Sequence, residues 1–336
     1  MAFVSAALRI GASVALTFLG LLVVTFFIGR VVPVDPVLAA VGERAPAEVY
    51  EQVRVELGLH LPLHEQFWRY LTQVLRGDFG RSVLTANPVL SDIARVFPAT
   101  LELATLGTLI GIALGVPFGV FAAVKQGRWI DQLIRVIGLL GYSVPVFWLG
   151  LMALLWFYAR LGWAPGPGRL DVGFEDLVTP TTGLLLLDSA RQGEWAVFRN
   201  ALGHLVLPAS ILGVLSVAYI SRMTRSFMLE QLHQEYITTA RLKGLSERAV
   251  IWRHALGNVR VPLVTVIALS YANLLEGSVL TETVFAWPGL GMYLTHSLLS
   301  ADMNAVLGGT IVVGAVFIGL NLLSDLLYRV LDPRAR

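Results

Sequence analysis

Apolar residues in this chain fall into long, nearly unbroken runs rather than the narrow stripe of a surface helix. A bilayer core of about 30 Å takes about 20 apolar residues in helical form, because each residue rises about 1.5 Å and every backbone polar group must be satisfied within the helix. Six runs meet or approach that length, at 10–29, 103–124, 136–159, 205–221, 261–281 and 305–324. The fourth has few apolar residues to spare, and the fifth contains Glu276. The first is too long for a signal-peptide core and runs into Arg30-Val-Val-Pro instead of a small-residue cleavage site, so it is expected to remain as a first transmembrane helix.

The polar intervals are unequal. Between the first two runs, 47–57 has helical character, a second amphipathic stretch runs from Pro62 to about Leu75, and Arg76-Gly-Asp-Phe-Gly breaks the pattern. Phe67, Trp68, Tyr70 and Leu71 need a surface to pack on, which predicts an ordered cap. The interval 162–200 opens with the turn-rich Trp163-Ala-Pro-Gly-Pro-Gly and returns to apolar residues at 183–187, as an interfacial segment would. Pro117, Pro145 and Pro262 are expected to bend or interrupt their spans. The expected organisation is a transmembrane helix over 1–30, an extracytoplasmic segment over 31–98, and a five-helix core over 99–336 that carries the outer loop 162–200 and the polar loop 222–260.

Composition agrees with a membrane solvent. The chain is 56% hydrophobic and 14% charged with mean hydropathy +0.70, against about a quarter charged in soluble domains. Net charge is only +2, spread over loops, which argues against nucleic acid as a partner. With no cysteine, disulfides, thiolate metal sites and Cys nucleophiles are excluded. Both lysines, Lys125 and Lys243, lie in short intervals that share one side of the membrane with the Arg329, Arg334 and Arg336 tail if there are six spans. Short basic loops stay in the cytoplasm, so that side is cytoplasmic and holds both termini.

The interval 222–260 is an island of polarity holding seven of the 25 Lys and Arg residues. Residues 235–243 lack Gly and Pro, Gly244 suits the left-handed turn that ends a helix, and Ser246-Glu247 suits the start of another. Two short helices around a turn are expected, with Val250, Ile251 and Ala255 as an apolar face. Gly107, Gly111, Gly115 and Gly119 set small residues on one helix face, as generic packing or a subunit contact would require. Glu276 is costly within a span, so it either lines a path or reaches the outer interface. Glu102 and Glu282 are expected to be solvated or capping at outer helix ends. The histidines, including His60 and His64 astride Pro62, form no metal-binding pattern.

The segment Glu235-Tyr-Ile-Thr-Thr-Ala240-Arg-Leu-Lys-Gly244-Leu-Ser resembles the EAA coupling loop of ABC importer permeases, in the form typical of the dipeptide, oligopeptide and nickel uptake family. Further stretches resemble that family in order. They are Val32-Pro33-Val-Asp35-Pro36, Leu57-Gly-Leu, Gly77-Asp-Phe-Gly80-Arg-Ser82, Pro98-Ala-Thr-Leu-Glu102, Tyr142-Ser-Val-Pro145-Val-Phe-Trp148 and Glu282-Thr-Val-Phe-Ala-Trp287-Pro-Gly-Leu-Gly291. The long segment after the first helix resembles the first of the family's two permease subunits. Of the general loop motif, Ala240 and Gly244 are kept, while Thr238 and Thr239 stand where it has glutamate and alanine.

This resemblance implies an all-α polytopic fold of the type I ABC importer class and a non-catalytic subunit. It implies contact with cytoplasmic ATPases through Glu235, Tyr236, Thr239, Ala240, Arg241, Lys243, Gly244 and Leu245, with Ala240 and Gly244 small because a partner's groove comes close. Arg241 and Lys243 either pair with acidic groups there or hold the loop inside. Tyr142, Glu276, Glu282 and Trp287 are candidates for the translocation path or a gate, with interfacial anchoring as the other reading of Trp287. The implied partners are a second permease, two ATPase subunits, an extracytoplasmic binding protein, peptide and membrane lipid. No Walker-type phosphate loop occurs, so ATP and magnesium are expected on the partners. Nickel or glutathione is the alternative cargo, and an ion-gradient transporter the alternative class, though the matched broken helices of that class are not evident.

Overall fold

The computed structural model describes residues 2–31, 36–42, 45–56 and 58–331. The motif residues 32–35, Leu57 and the arginines of the 332–336 tail lie outside the described residues. Helices make up the described chain, in the order α1 (Ala2–Val31), α2 (Pro36–Val41), α3 (Ala47–Glu56), α4 (Leu63–Leu75), α5 (Val89–Val124), α6 (Trp129–Ser143), α7 (Val146–Ala153, continued as a π-turn over Leu154–Arg160), α8 (Leu185–Gln192), α9 (Trp195–Leu232), α10 (Glu235–Leu242), α11 (Glu247–Ala249, continued as a π-turn over Val250–Ala255), α12 (Leu256–Val284), α13 (Leu290–Leu299) and α14 (Met303–Leu331). No strand occurs among the described residues; the one extended pairing is a single bridge between Arg81 and Pro88.

Five helices are long and apolar enough to cross a membrane: Gly11–Gly29, Val89–Val124, Trp195–Leu232, Glu247–Val284 and Met303–Ser324. The expected third span departs from a simple rod. It divides into α6 and α7, which meet at 97°, and counts as a sixth span if the pair is taken as one. The cause is local: Val144 is extended (φ −81°, ψ 129°), and Pro145 ahead of α7 has no N–H with which to continue the ladder. Pro117 and Pro262, by contrast, sit inside unbroken helices. The fourth span is also longer than expected. The beginning of the polar island, including Arg222 and Arg225, continues α9 to Leu232 with Thr224 and Met228 buried.

Two compact units are present, one of residues 1–97 and 293–318, the other of 98–292 and 319–336. In the first, Phe67, Tyr70 and Leu71 of α4 find the surface they need. Leu22, Val74 and Ile311 form a core with Phe18, Tyr70, Leu71 and Phe79 against it, Phe26 meets Phe67 edge-on at 5.3 Å, and Thr25 Oγ1 lies 2.8 Å from Tyr70 Oη. Trp68 stays exposed. The Gly77-Asp-Phe-Gly80-Arg-Ser82 stretch docks on the start of α14: Ser82 Oγ donates to Asp302 Oδ2 at 2.6 Å, and Asn304 Nδ2 donates to the Arg81 carbonyl. Gly80 is required twice over, by φ +77° and because a Cβ would stand 3.0 Å from Asn304 Nδ2.

In the second unit the glycine row of α5 settles against α9. Cβ atoms at Gly107, Gly115 and Gly119 would stand 3.1, 3.1 and 2.5 Å from the Cβ atoms of Leu212, Ile220 and Thr224, and one at Gly111 would stand 2.5 Å from Ser216 Cβ. Those α9 residues recur every four positions, so the row is an internal seam between two spans rather than a contact with another subunit. Ser216 Oγ and Ser270 Oγ, 2.9 Å apart, tie α9 to α12 beside it.

The loop 162–200 is held by Asp188 of α8, buried at the mouth of the turn before it. Its carboxylate accepts from the backbone N–H groups of Thr181, Thr182 and Gly183 and from both threonine hydroxyls. Burial pushes this carboxyl up, but the Thr181 and Thr182 hydrogen bonds outweigh it and hold the pKa at about 2. A depressed carboxyl stabilises the fold above its unfolded pKa and stops doing so as pH falls through the folded one. Protection of the 181–183 amides from exchange, corrected for intrinsic rate, is therefore expected to be flat from neutrality to about pH 4 and to fall toward pH 2. Asp188→Asn should lower it most near neutrality and approach the wild type toward pH 2.

Candidate functional site

The polar island folds as two short helices around a turn. Gln234, extended at ψ 148°, starts α10, and Glu235 places a carboxylate in its first turn. The helix ends in a Schellman-type closure: Gly244 takes φ +75°, Leu245 N–H reaches the Ala240 carbonyl at 3.3 Å, and Gly244 N–H the Arg241 carbonyl at 2.9 Å. Ser246 caps α11 by accepting from Ala249 N–H.

One face of α10 is locked inward. Ile237 and Ala240 are buried with Val120 and Ala123 of α5, Ile220 and Met228 of α9, Val250 and Ala255 beyond the turn, and Val259 of α12. Displacing α10 therefore loads three spans at once. The outward face carries Glu235, Tyr236, Thr239, Arg241, Lys243, Gly244 and Leu245, all exposed. Ala240 is a correction: its small side chain faces the chain's own core, not a partner's groove. No atom of the chain lies within 4 Å of where a Gly244 Cβ would be, and its left-handed backbone by itself favours glycine. Arg241 is also partly engaged, since its Nε donates to Glu247 Oε1 at 2.7 Å and clasps α10 to α11; this bond raises the guanidinium pKa. Leu242, overlooked in the sequence, is 84% exposed at the tip of α10 beside Leu245. An apolar residue at a helical register normally reads as core, so only the packing identifies it.

The four candidate path residues do not converge. Glu276 lies on the exposed face of α12 with Asn273 and Gly277. Tyr142, at the end of α6, is exposed and lies under the Arg222 guanidinium, 5.7 Å from the ring centroid. Glu282 and Trp287 belong together, but neither is solvated or interfacial. Glu282 is fully buried; Thr100 Oγ1 and Ser278 Oγ donate to its Oε1 at 2.8 and 2.9 Å, and Met292 N–H donates to Oε2 at 3.0 Å. Trp287 is buried, and its Nε1–H donates to the Ala99 carbonyl at 2.9 Å.

The glycines of Trp287-Pro-Gly-Leu-Gly let the backbone lie against that carboxylate. A Cβ at Gly289 would stand 2.5 Å from Glu282 Oε2, and one at Gly291 would stand 2.6 Å from Val279 Cα. Glu102 extends the cluster: it is buried, accepts from Arg169 Nη2 at 2.7 Å, and caps the start of α8 by accepting from Leu186 N–H at 2.7 Å. Arg169 in turn lies over the Trp287 ring. Residues 99–102 of α5, the turn after α12 and the loop before α8 are thus one bonded cluster.

Family and structural comparisons agree with this architecture. A family model described as "Binding-protein-dependent transport system inner membrane component" matches residues 115–336, and its N-terminal companion, "Binding-prot-dependent transport system membrane comp, N-term", matches residues 4–104. The chain is 44% identical over 315 residues to the probable D,D-dipeptide transport system permease protein DdpB of Escherichia coli (strain K12), covering 94% of this chain and 92% of the relative. It is 43% identical over 322 residues to the dipeptide transport system permease protein DppB of the same strain, covering 95% of each. Among solved structures it is similar to a chain of the inward-facing MetNI methionine ABC transporter, with TM-score 0.51 at 17% identity over 72% of this chain and 96% of that one. That likeness carries the fold, the all-α architecture of type I importers. The protein belongs to the family of binding-protein-dependent transport system inner membrane components, the permease subunits of ABC importers.

Proposed function

We propose that this permease imports dipeptides and short peptides, forming the translocation path with a second, related permease and accepting cargo from an extracytoplasmic binding protein. Two cytoplasmic ATPase subunits bind the nucleotide and magnesium and drive the cycle through the 235–245 element. The observation that carries the coupling is the two-faced build of α10, with Ile237 and Ala240 locked against three spans while Tyr236, Thr239, Lys243, Leu242 and Leu245 face outward. The cargo is supported by the relatives, named for D,D-dipeptides and dipeptides. Nickel and glutathione find no such support.

In this reading the island, Lys125 and both termini are cytoplasmic, 31–98 and 162–200 are extracytoplasmic, and the Glu282–Trp287 cluster closes the outer end of the path. ATPase closure need only bind one permease state better than the other, and that difference in affinity shifts the population from inward-open to outward-open. Tyr142 lines the path, and Glu276 faces it from α12. The test is uptake of labelled alanyl-phenylalanine by cells expressing the full transporter, with competition by unlabelled dipeptide, glutathione and nickel. Dipeptide alone should compete; competition by nickel or glutathione, with none by dipeptide, would reassign the cargo.

A further inference from the structure

Between α6 and α9 lies a cleft of about 690 Å³, within the range of about 300–1,000 Å³ common for small-molecule sites. Its polar lining is lopsided. Arg135, Arg222 and Arg225 all border it, and one carboxylate, Asp131, stands beside them. That carboxylate is fully engaged: Arg225 donates to both its oxygens, through Nε at 2.6 Å and Nη2 at 2.8 Å, and Gly127 N–H donates to Oδ2 at 2.9 Å. Among the described residues no hydrogen bond or ion pair holds Arg135 or Arg222, although Arg135 feels the charge of Asp131. Arg222 is nonetheless positioned, its guanidinium 5.7 Å from the Tyr142 ring centroid and 5.8 Å from that of Tyr219.

Unneutralised cations on membrane helices are costly and are found where a water-filled cavity or an anionic partner meets them. Arg222 borders the cleft beside two rings with its donors unclaimed by any carboxylate among the described residues, and a guanidinium is the group that binds a carboxylate with two parallel hydrogen bonds. We infer that this cleft is a transit site for the peptide's C-terminal carboxylate, with Arg222 as the principal ligand, Arg135 as the second cation and Asp131 restraining Arg225. Ser226 and Gln132 on the same lining offer hydrogen bonds to the peptide backbone. The inference rests on the peptide-import reading above and names a subsite of it.

The test uses the full chain in nanodiscs of zwitterionic lipid, with alanyl-phenylalanine and its C-terminal amide as probes read by saturation-transfer NMR. In parallel, uptake of alanyl-phenylalanine by the complete transporter is measured in cells. The wild type should contact the acid and not the amide. Arg222→Gln should weaken contact roughly 10- to 100-fold, the loss of one charge-assisted pair, and raise the uptake KM. Arg222→Lys, which keeps the charge but loses the fork, should fall between, so a variant that merely fails to fold is distinguished. Equal contact with acid and amide, or Arg222→Gln binding like wild type while the wild type imports the dipeptide, overturns the site alone. A wild type that imports no dipeptide overturns the cargo reading and this site with it. Displacement of the probe by phosphatidylglycerol in the disc would assign the cleft to a lipid headgroup and also overturn the proposal.

Discussion

Leu242→Asp is expected to leave the chain folded and inserted while peptide uptake falls by roughly 30-fold or more, because a central apolar anchor at an interface contributes about 2 kcal/mol or more. Among the described residues little packs over this side chain, which is 84% exposed, so the substitution costs few internal contacts and a helix of this exposure tolerates aspartate. The whole cost falls on whatever docks there, since a carboxylate would be carried into a desolvated contact. Co-purification of the ATPase subunits should weaken in step with uptake. Arg241→Ala provides the contrast. It breaks the clasp to Glu247, an exposed pair contributing about 0–1 kcal/mol, and should reduce uptake far less. If Leu242→Asp transports normally with its ATPases bound, the coupling assignment of α10 is wrong.

The spans were legible in the sequence because the bilayer sets a strict demand, and a run of about 20 apolar residues has few other uses. The end of α10 was legible for a similar reason: a left-handed residue after a helix wants glycine, and Gly244 supplies it. What the sequence could not carry was direction. A small residue in a short helix marks a close approach without saying to what, so Ala240 pointed equally well to a partner and to the chain's own core. The Gly107-to-Gly119 row had the same ambiguity, and its partner on α9 lies about a hundred positions along the chain.

The acidic residues meet the same limit. Glu102 and Glu282 stand near the ends of apolar runs, where solvation or capping is the ordinary outcome; Glu102 does cap α8, but the Arg169 and Leu186 donors that hold it and the Thr100 hydroxyl on Glu282 come from segments remote in sequence. Pro145 announced a break, and the extended Val144 with the missing Pro145 N–H makes it, but the size of the turn, 97° between α6 and α7, is not written in the residue pattern. Arg222 and Arg225, three positions apart, are alike in sequence; only the approach of Asp131 from α6 separates the neutralised one from the free one.

Glu282→Leu is expected to destabilise the purified chain by about 3–5 kcal/mol, with loss of uptake following from loss of the fold around the Trp287 turn. Leucine leaves the Thr100 hydroxyl and the Met292 N–H without their acceptor in a site of 0% exposure, while Ser278 Oγ keeps the Leu275 carbonyl, and each orphaned donor costs about 1–3 kcal/mol, not strictly additively. Gly289 and Gly291 offer no slack, because the turn already lies against the carboxylate. Glu282→Gln is the informative partner. Its amide oxygen can still accept from Thr100 and Ser278, while its NH₂ meets the Met292 N–H donor to donor, so the cost should be nearer that of one lost bond, about 1–3 kcal/mol. Thermal unfolding in detergent should therefore rank the proteins wild type, Gln, Leu. The opposite expectation belongs to a solvated glutamate, for which both variants would unfold with the wild type. If Gln instead unfolds like the wild type but transports poorly, Glu282 acts on the cargo or the cycle and not on the turn.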